Sequence, residues 1–269
     1  SSTWTYCGPL LPLTPSSLPA SFDTWTNATF EPASALLPSL LPFVAYVNDF
    51  LKKAGLGNYW ITVRATLPTN EYDTPRWHTD DLFFESPTST EATSIVAPKS
   101  RWKLFSKTST HNRRSSSVTP SDAPSALAPG TWKLCATLLG APTLFLSPKT
   151  NSNALRVQST AKSTASSKYA HPCTSTRCLG CATAANSVRQ SLASTFDSLN
   201  FEVVSPAPGE CCWFRLGAVE GAMHSEPNCS SNEGAQGRVF VNVVPGTEEQ
   251  LKGLMGKWGM AFPRAWCVG

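Results

Sequence analysis

A mainly β domain with helices towards its two ends is the fold class the sequence predicts, and three observations predict it. Stretches rich in β-branched and aromatic residues recur as "YWITVRATL", "TWKLCATLL", "PTLFL", "FEVVS", "CCWFRLGAV" and "GRVFVNVV", separated by Pro and Gly. Helical spacing of apolar residues is strongest outside that series, near the start of the chain. The 269 residues suffice for one large core, so a single domain is expected. Short strands at irregular intervals favour an antiparallel sandwich or barrel over a doubly wound sheet.

Residues 1–58 read as a helical N-terminal part. In "FEPASALLPSLLPFVAYVNDFLKKAGLG", Phe43, Val44, Val47, Phe50 and Leu51 fall on one helical face, lysines occupy the last turn and Gly55 ends it. Residues 59–246 read as the β core. Two Ser/Thr/Pro/Lys-rich stretches, 86–130 and 147–188, interrupt it and are expected as long surface loops. Residues 247–269 are expected to form a C-terminal helix and tail.

The net charge of +4 is mild, but its distribution is not. Between residues 99 and 189 thirteen Lys and Arg face one acid, Asp122. Such a basic belt attracts anionic partners. The longest apolar stretch, "LLPSLLPFVAYV", is short and proline-broken for a membrane span, and the first residues lack the pattern of a signal peptide, so no membrane partner is expected. Nine cysteines cannot all pair, and their scatter does not resemble a disulfide scaffold. An intracellular, reducing, cytoplasmic setting is therefore expected ahead of the secretory pathway, although Asn27-Ala28-Thr29 and Asn228-Cys229-Ser230 have the form of glycosylation triplets.

Chemistry concentrates in "TPRWHTDDLFF". In an extended chain, residues two apart share a face, so His78 and Asp80 point into one cavity while Thr79 points away. Of the remaining histidines, His111 and His171 lie in the expected loops, whereas His224 follows a strand. His78, Asp80 and His224 make a two-histidine, one-carboxylate set, the donor set of non-haem Fe(II) sites that handle oxygen. Such an iron needs electrons, which a bidentate 2-oxo acid supplies, and that acid's far carboxylate needs a cation. Arg238, fourteen residues beyond His224 at the start of "RVFVNVV", offers a planar fork for it.

This order of His-x-Asp, a long gap, His and then Arg resembles the Fe(II)/2-oxoglutarate-dependent oxygenases over residues 59–246. The resemblance implies a double-stranded β-helix, a cupin-like jelly roll. It also implies Fe(II) on His78, Asp80 and His224, 2-oxoglutarate on Arg238, and O2 as co-substrate. The implied reaction oxidises an unactivated C–H bond of a small molecule, by default through hydroxylation, and releases succinate and CO2. Many members carry Ser two residues after the arginine, where this chain has Phe240.

Other readings attach to other residues. Cys173, Cys178 and Cys181 form a C-x4-C-x2-C run, followed at a distance by Cys211, and this spacing resembles plant-type [2Fe–2S] ferredoxins. The same thiols suit a structural zinc ion. With the basic belt, they leave open an electron-transfer or nucleic-acid-binding module, and the barrel leaves open a cupin-like metal-binding protein or isomerase. Arg64 and Trp77 are candidate substrate-binding residues. Glu226, two residues past His224, is placed to support that histidine.

Overall fold

The computed structural model describes residues 1–84, 130–173, 178–229 and 237–269. Along the chain run β1 (Ser2–Pro9), α1 (Ala20–Thr29), α2 (Leu37–Lys53), β2 (Asn58–Thr66), β3 (Trp132–Leu139) and β4 (Leu144–Leu146). There follow α3 (Pro148–Lys168), α4 (Leu179–Ser198), β5 (Val203–Val204), β6 (Cys211–Arg215), β7 (His224–Ser225), β8 (Arg238–Gly246), α5 (Glu248–Lys257) and β9 (Arg264–Val268). Six strands form a large sheet in the order β6-β3-β8-β2-β1-β9, and three form a small one, β5-β4-β7. All the paired strands are antiparallel. The fold is thus mixed, with a large antiparallel sheet and helices.

Alternation builds the large sheet. On β2, Tyr59, Ile61 and Val63 are buried and share a face with Val239, Val241 and Val243 of β8. Against this face α2 lays Leu40, Phe43, Val44, Val47 and Leu51, as its helical spacing predicts, and α1 adds Phe22 and Trp25. Each such side chain contributes about 1.5–3 kcal/mol when fully buried, so this layer anchors the domain. Residues 33–53 are long and apolar enough to cross a membrane by composition, but their apolar stripe is spent on the sheet.

The opposite face meets the small sheet. Cys135 of β3 and Phe214 of β6 pack with Phe145 of β4 and with Leu216, Phe145 and Phe214 lying edge to face at 5.3 Å. Beyond the small sheet lie α3 and α4, packed on Trp77, Leu146 and Met223.

Each of the six strand stretches read from the sequence contains a strand, although "FEVVS" does so only over Val203–Val204 and "CCWFRLGAV" only as far as Arg215. The two ends differ from expectation: residues 1–58 begin with β1, and the tail after α5 returns as β9 to pair with β1. The burial of β1 does not alternate, with Trp4 and Thr5 and then Cys7 and Gly8 buried in pairs, and β9 is a five-residue edge strand whose only partner is β1. Residues 147–188, expected as a loop, hold α3 and the start of α4. Their buried stripes are thin: two alanines and a glutamine, Ala154, Gln158 and Ala165, on α3, and Val188, Leu192 and Phe196 on α4. The stretch expected as a loop over 86–130 lies, apart from Gly130, outside the described residues, and His111 with it.

Candidate metal centre

His78 and His224 meet through their backbones. Each donates its N–H to the other's carbonyl at 2.9 Å, an antiparallel bridge that leaves both side chains on one face. Their rings lie 4.3 Å apart. Asp80, two residues on, returns to the same face, and its carbonyl is held by the Gly217 N–H at 2.7 Å. Trp77 and Thr79 point the other way, Trp77 onto Phe196 of α4 and Thr79 towards Gln158 of α3. The expected alternation therefore holds.

The imidazoles are oriented for coordination. His78 Nδ1 lies 2.7 Å from the Arg76 carbonyl and His224 Nδ1 lies 3.0 Å from that of Ala222. A carbonyl oxygen only accepts, so each Nδ1 carries the proton and each Nε2 keeps its lone pair. Both Nε2 atoms face Asp80, at 3.9 Å from Oδ1 for His78 and 3.7 Å from Oδ2 for His224. Metal–donor bonds of about 2.0–2.2 Å need donors roughly 3.0–3.5 Å apart, so closing round an ion takes movements under about 1 Å. His78 is the most open of the three, with 39% of its side chain exposed against 9% for His224, so the site opens on the His78 side.

Lys133, on β3, donates to Asp80 Oδ2 at 2.8 Å. Burial alone would raise the Asp80 carboxyl, but Lys133, His224 and His78 outweigh it and hold the group below the usual carboxylate range. Burial against Phe145 and Phe214, reinforced by His78, pushes His224 down to about 4, so this imidazole is neutral at physiological pH, the form a metal needs. Sequence reasoning missed Lys133 and counted it in the basic belt. Its signal was present: Lys133 shares a strand face with Cys135, a charged residue on an inward face.

Arg238 opens β8 and is only 7% exposed. Its Nε donates to the Ala141 carbonyl and its Nη2 to Thr143 Oγ1, both at 2.9 Å, while the guanidinium stacks over Phe240 at 4.5 Å. Gly140 makes this approach possible, since its φ is +83° and a Cβ there would stand 2.7 Å from the Gly237 carbonyl. Register settles Arg64: it pairs with Phe240 and so shares the face that Arg238 and Phe240 occupy. Trp77, a candidate substrate-binding residue or a core aromatic, is buried against α4 because it alternates with His78. Among the described residues, one carboxylate oxygen of Glu226 is buried without a hydrogen-bond partner; the Nδ1 of His224 is held by Ala222 and not by Glu226.

Cys173, Cys178 and Cys181 come together, joined by His171. Cys211 does not join them: it starts β6, opposite Ala136, and packs on the α2 side of the sheet. No disulfide joins any of the described cysteines. Two cavities, of about 780 Å³ along α3 and α4 and about 220 Å³ beside β3, are not lined by the triad; the second touches Thr143, the partner of Arg238.

Comparison with protein-family models, with curated proteins and with solved structures finds no match to this chain.

Proposed function

We propose that the chain is a non-haem Fe(II) oxygenase dependent on 2-oxoglutarate, with His78, Asp80 and His224 as iron ligands and Arg238 as the site for the distal carboxylate of the cosubstrate. The observation that carries the reading is the convergence of two proton-anchored imidazoles and one carboxylate from opposite halves of the chain. Strand order supports it. With the His78 bridge counted as a strand end, the small sheet reads β5-β4-β7-His78 and lies against β6-β3-β8-β2. Between β2 and β8 the chain changes sheet at every connection except β4 to β5, a winding that suits a jelly roll, before β9 returns to the large sheet.

Fe(II) with a bound 2-oxo acid and O2 supplies an oxidant for an unactivated C–H bond, leaving succinate and CO2; hydroxylation is the default outcome. The chain's own residues prepare the site. The Arg76 and Ala222 carbonyls keep both Nε2 lone pairs turned inward, and Lys133 keeps Asp80 ionised and aimed. Phe145 and Phe214 exclude water from the His224 side. Arg238 holds a buried positive charge with two N–H groups engaged, and its fork suits a carboxylate. Anaerobic titration with Fe(II) and 2-oxoglutarate tests this: a weak visible charge-transfer band should need both. A chain that binds Fe(II) without that band, and makes no succinate in air, is not a 2-oxoglutarate enzyme.

The Lys133–Asp80 pair favours one second reading, a cupin-like metal-binding protein or isomerase, because the pair satisfies the carboxylate with no cosubstrate present. Metal binding without succinate production would select it.

A further inference from the structure

The turn between α3 and α4 carries His171, Cys173, Cys178 and Cys181, whose ligand atoms all lie within 4.8 Å of one another. His171 Nε2 is 3.0 Å from the Cys178 sulfur and 3.5 Å from that of Cys181, which is 3.4 Å from Cys173. A tetrahedral ion bonded at about 2.3 Å to sulfur and about 2.0 Å to nitrogen sets S···S near 3.8 Å and N···S near 3.5 Å. The observed spacings sit within about 0.5 Å of those values. The sulfurs of Cys173 and Cys181 are also too far apart for the bond of about 2.05 Å in a disulfide.

Three features prepare the cluster. His171 Nδ1 lies 2.6 Å from the Tyr169 carbonyl, so the proton is there and the Nε2 lone pair faces the sulfurs. Cys178 caps α4 and Cys181 lies in its first turn, so both sulfurs stand at the end of the helix where backbone N–H groups are free of helical partners. Gly180, between them, leaves room for the imidazole: a Cβ there would stand 2.8 Å from Cε1 and 2.9 Å from both ring nitrogens of His171.

We propose that His171, Cys173, Cys178 and Cys181 bind one zinc ion in a closed Cys3His site that staples the tip of the α3–α4 hairpin. Four protein ligands fill the tetrahedron and leave no open position, which marks a structural site. Three thiolates and one imidazole fit zinc better than the four-thiolate set of a plant-type cluster, whose fourth thiol, Cys211, lies elsewhere. The hairpin needs such a staple. Between Ala165 and Val188 no described residue is fully buried, and Tyr169 and Ala184 pack on the apolar cluster while only partly buried, so the tip has little apolar core to close it. Zinc entering the site displaces the thiol protons, and its binding energy becomes folding energy for this turn. The proposal is independent of the iron site.

Cobalt(II) titration of the reduced, chelator-treated full chain tests it. One equivalent should give the near-ultraviolet thiolate-to-cobalt band and the visible bands of a tetrahedral ion, bleached by one equivalent of Zn(II). His224→Ala should leave these bands unchanged, because the triad has no thiolate. The Cys173→Ser, Cys181→Ser double variant should lose them, while His171→Cys should keep the metal and strengthen the thiolate band, which shows that the turn still folds. Absence of the thiolate band in the parent chain overturns the proposal, as does its survival in the double-serine variant. Acid-labile sulfide with visible colour in the protein as purified overturns it in favour of an iron–sulfur cluster.

Discussion

The triad and the cysteine turn organise metal-binding atoms in opposite ways. His78 and His224 come from opposite halves of the chain and are joined by a backbone bridge between two packed sheets. Their protons are anchored, and Asp80 already has a countercharge in Lys133. The four candidate ligands of the turn fall within residues 171–181, are exposed or half-buried, and have no buried neighbours among the described residues of the hairpin tip. On the two proposals, one is a metal site held by a fold, and the other is a piece of fold held by a metal. A preformed site can leave coordination positions open for a reaction, whereas a site that must fold its own backbone uses every position for protein ligands.

The largest expected effect comes from breaking the preformed site at a ligand. His224→Ala, or His78→Ala, removes one donor of three and should reduce Fe(II)- and 2-oxoglutarate-dependent succinate formation to background. Zinc content and the far-ultraviolet circular dichroism should stay at parental values, because neither histidine touches the hairpin tip. Full turnover with stoichiometric iron in either variant would remove the triad from the reaction.

Arg238 sharpens the comparison, since it separates a 2-oxo-acid site from a bare metal site. Loss of one partner of a desolvated charge pair costs roughly 2–5 kcal/mol, so Arg238→Ala should weaken 2-oxoglutarate binding about thirty-fold or more. Arg238→Lys should recover part of this, keeping the charge and losing the fork. Fe(II) affinity should change little in both. Equal 2-oxoglutarate affinity in all three proteins would pass the role to another cation, and Arg64, on the same sheet face, is the first to test.

What was legible in the sequence follows the same division. Alternation placed His78 and Asp80 on one face, and chain order selected His224, because a strand pattern survives in one dimension. The face of Arg64 needed the β2–β8 register, which sequence alone leaves open. Lys133 was hidden because charge counted along a stretch says nothing about which side of a strand it takes. His171 was set aside because Ser/Thr-rich sequence reads as loop, although it stands two residues before Cys173 and completes the set more locally than Cys211. The helices α3 and α4 were hidden for the same reason: their buried stripes, Ala154, Gln158 and Ala165 against Val188, Leu192 and Phe196, are too thin to lift the pattern above its polar surroundings.

Lys133→Met tests how far the triad is preformed. Breaking a fully buried pair costs about 3–5 kcal/mol, and with Asp80 21% exposed a loss of about 1–3 kcal/mol is expected for the metal-free chain. A bound divalent ion supplies the missing countercharge to Asp80. Fe(II), or Mn(II) in air, should therefore raise the melting temperature of the variant more than that of the parent. Equal shifts would mean that Lys133 and the metal site are uncoupled.

The smallest effect should come from asking one region to report on the other. The hairpin reaches the triad far from its tip: Phe196 of α4 packs on Trp77, the residue before His78, and on α3 Gln158 meets Thr79 while Asn151 accepts from the N–H of Met223, the residue before His224. From Cys181 to Phe196 the helix runs fifteen residues, roughly 22 Å at about 1.5 Å each. Val188, Leu192 and Phe196 are buried along the way and hold α4 to the small sheet without the tip. Loss of zinc should therefore speed amide exchange around residues 166–184 while leaving Trp77 and His78 in place. Succinate formation by the Cys173→Ser, Cys181→Ser variant, supplied with Fe(II), should stay within about two-fold of the parent, since a shift of 0.4 kcal/mol or less corresponds to that factor. A drop of ten-fold or more, with the iron content unchanged, would mean that the hairpin moves as one rigid lever and that the two candidate metal sites are coupled through its contacts with Trp77 and Thr79.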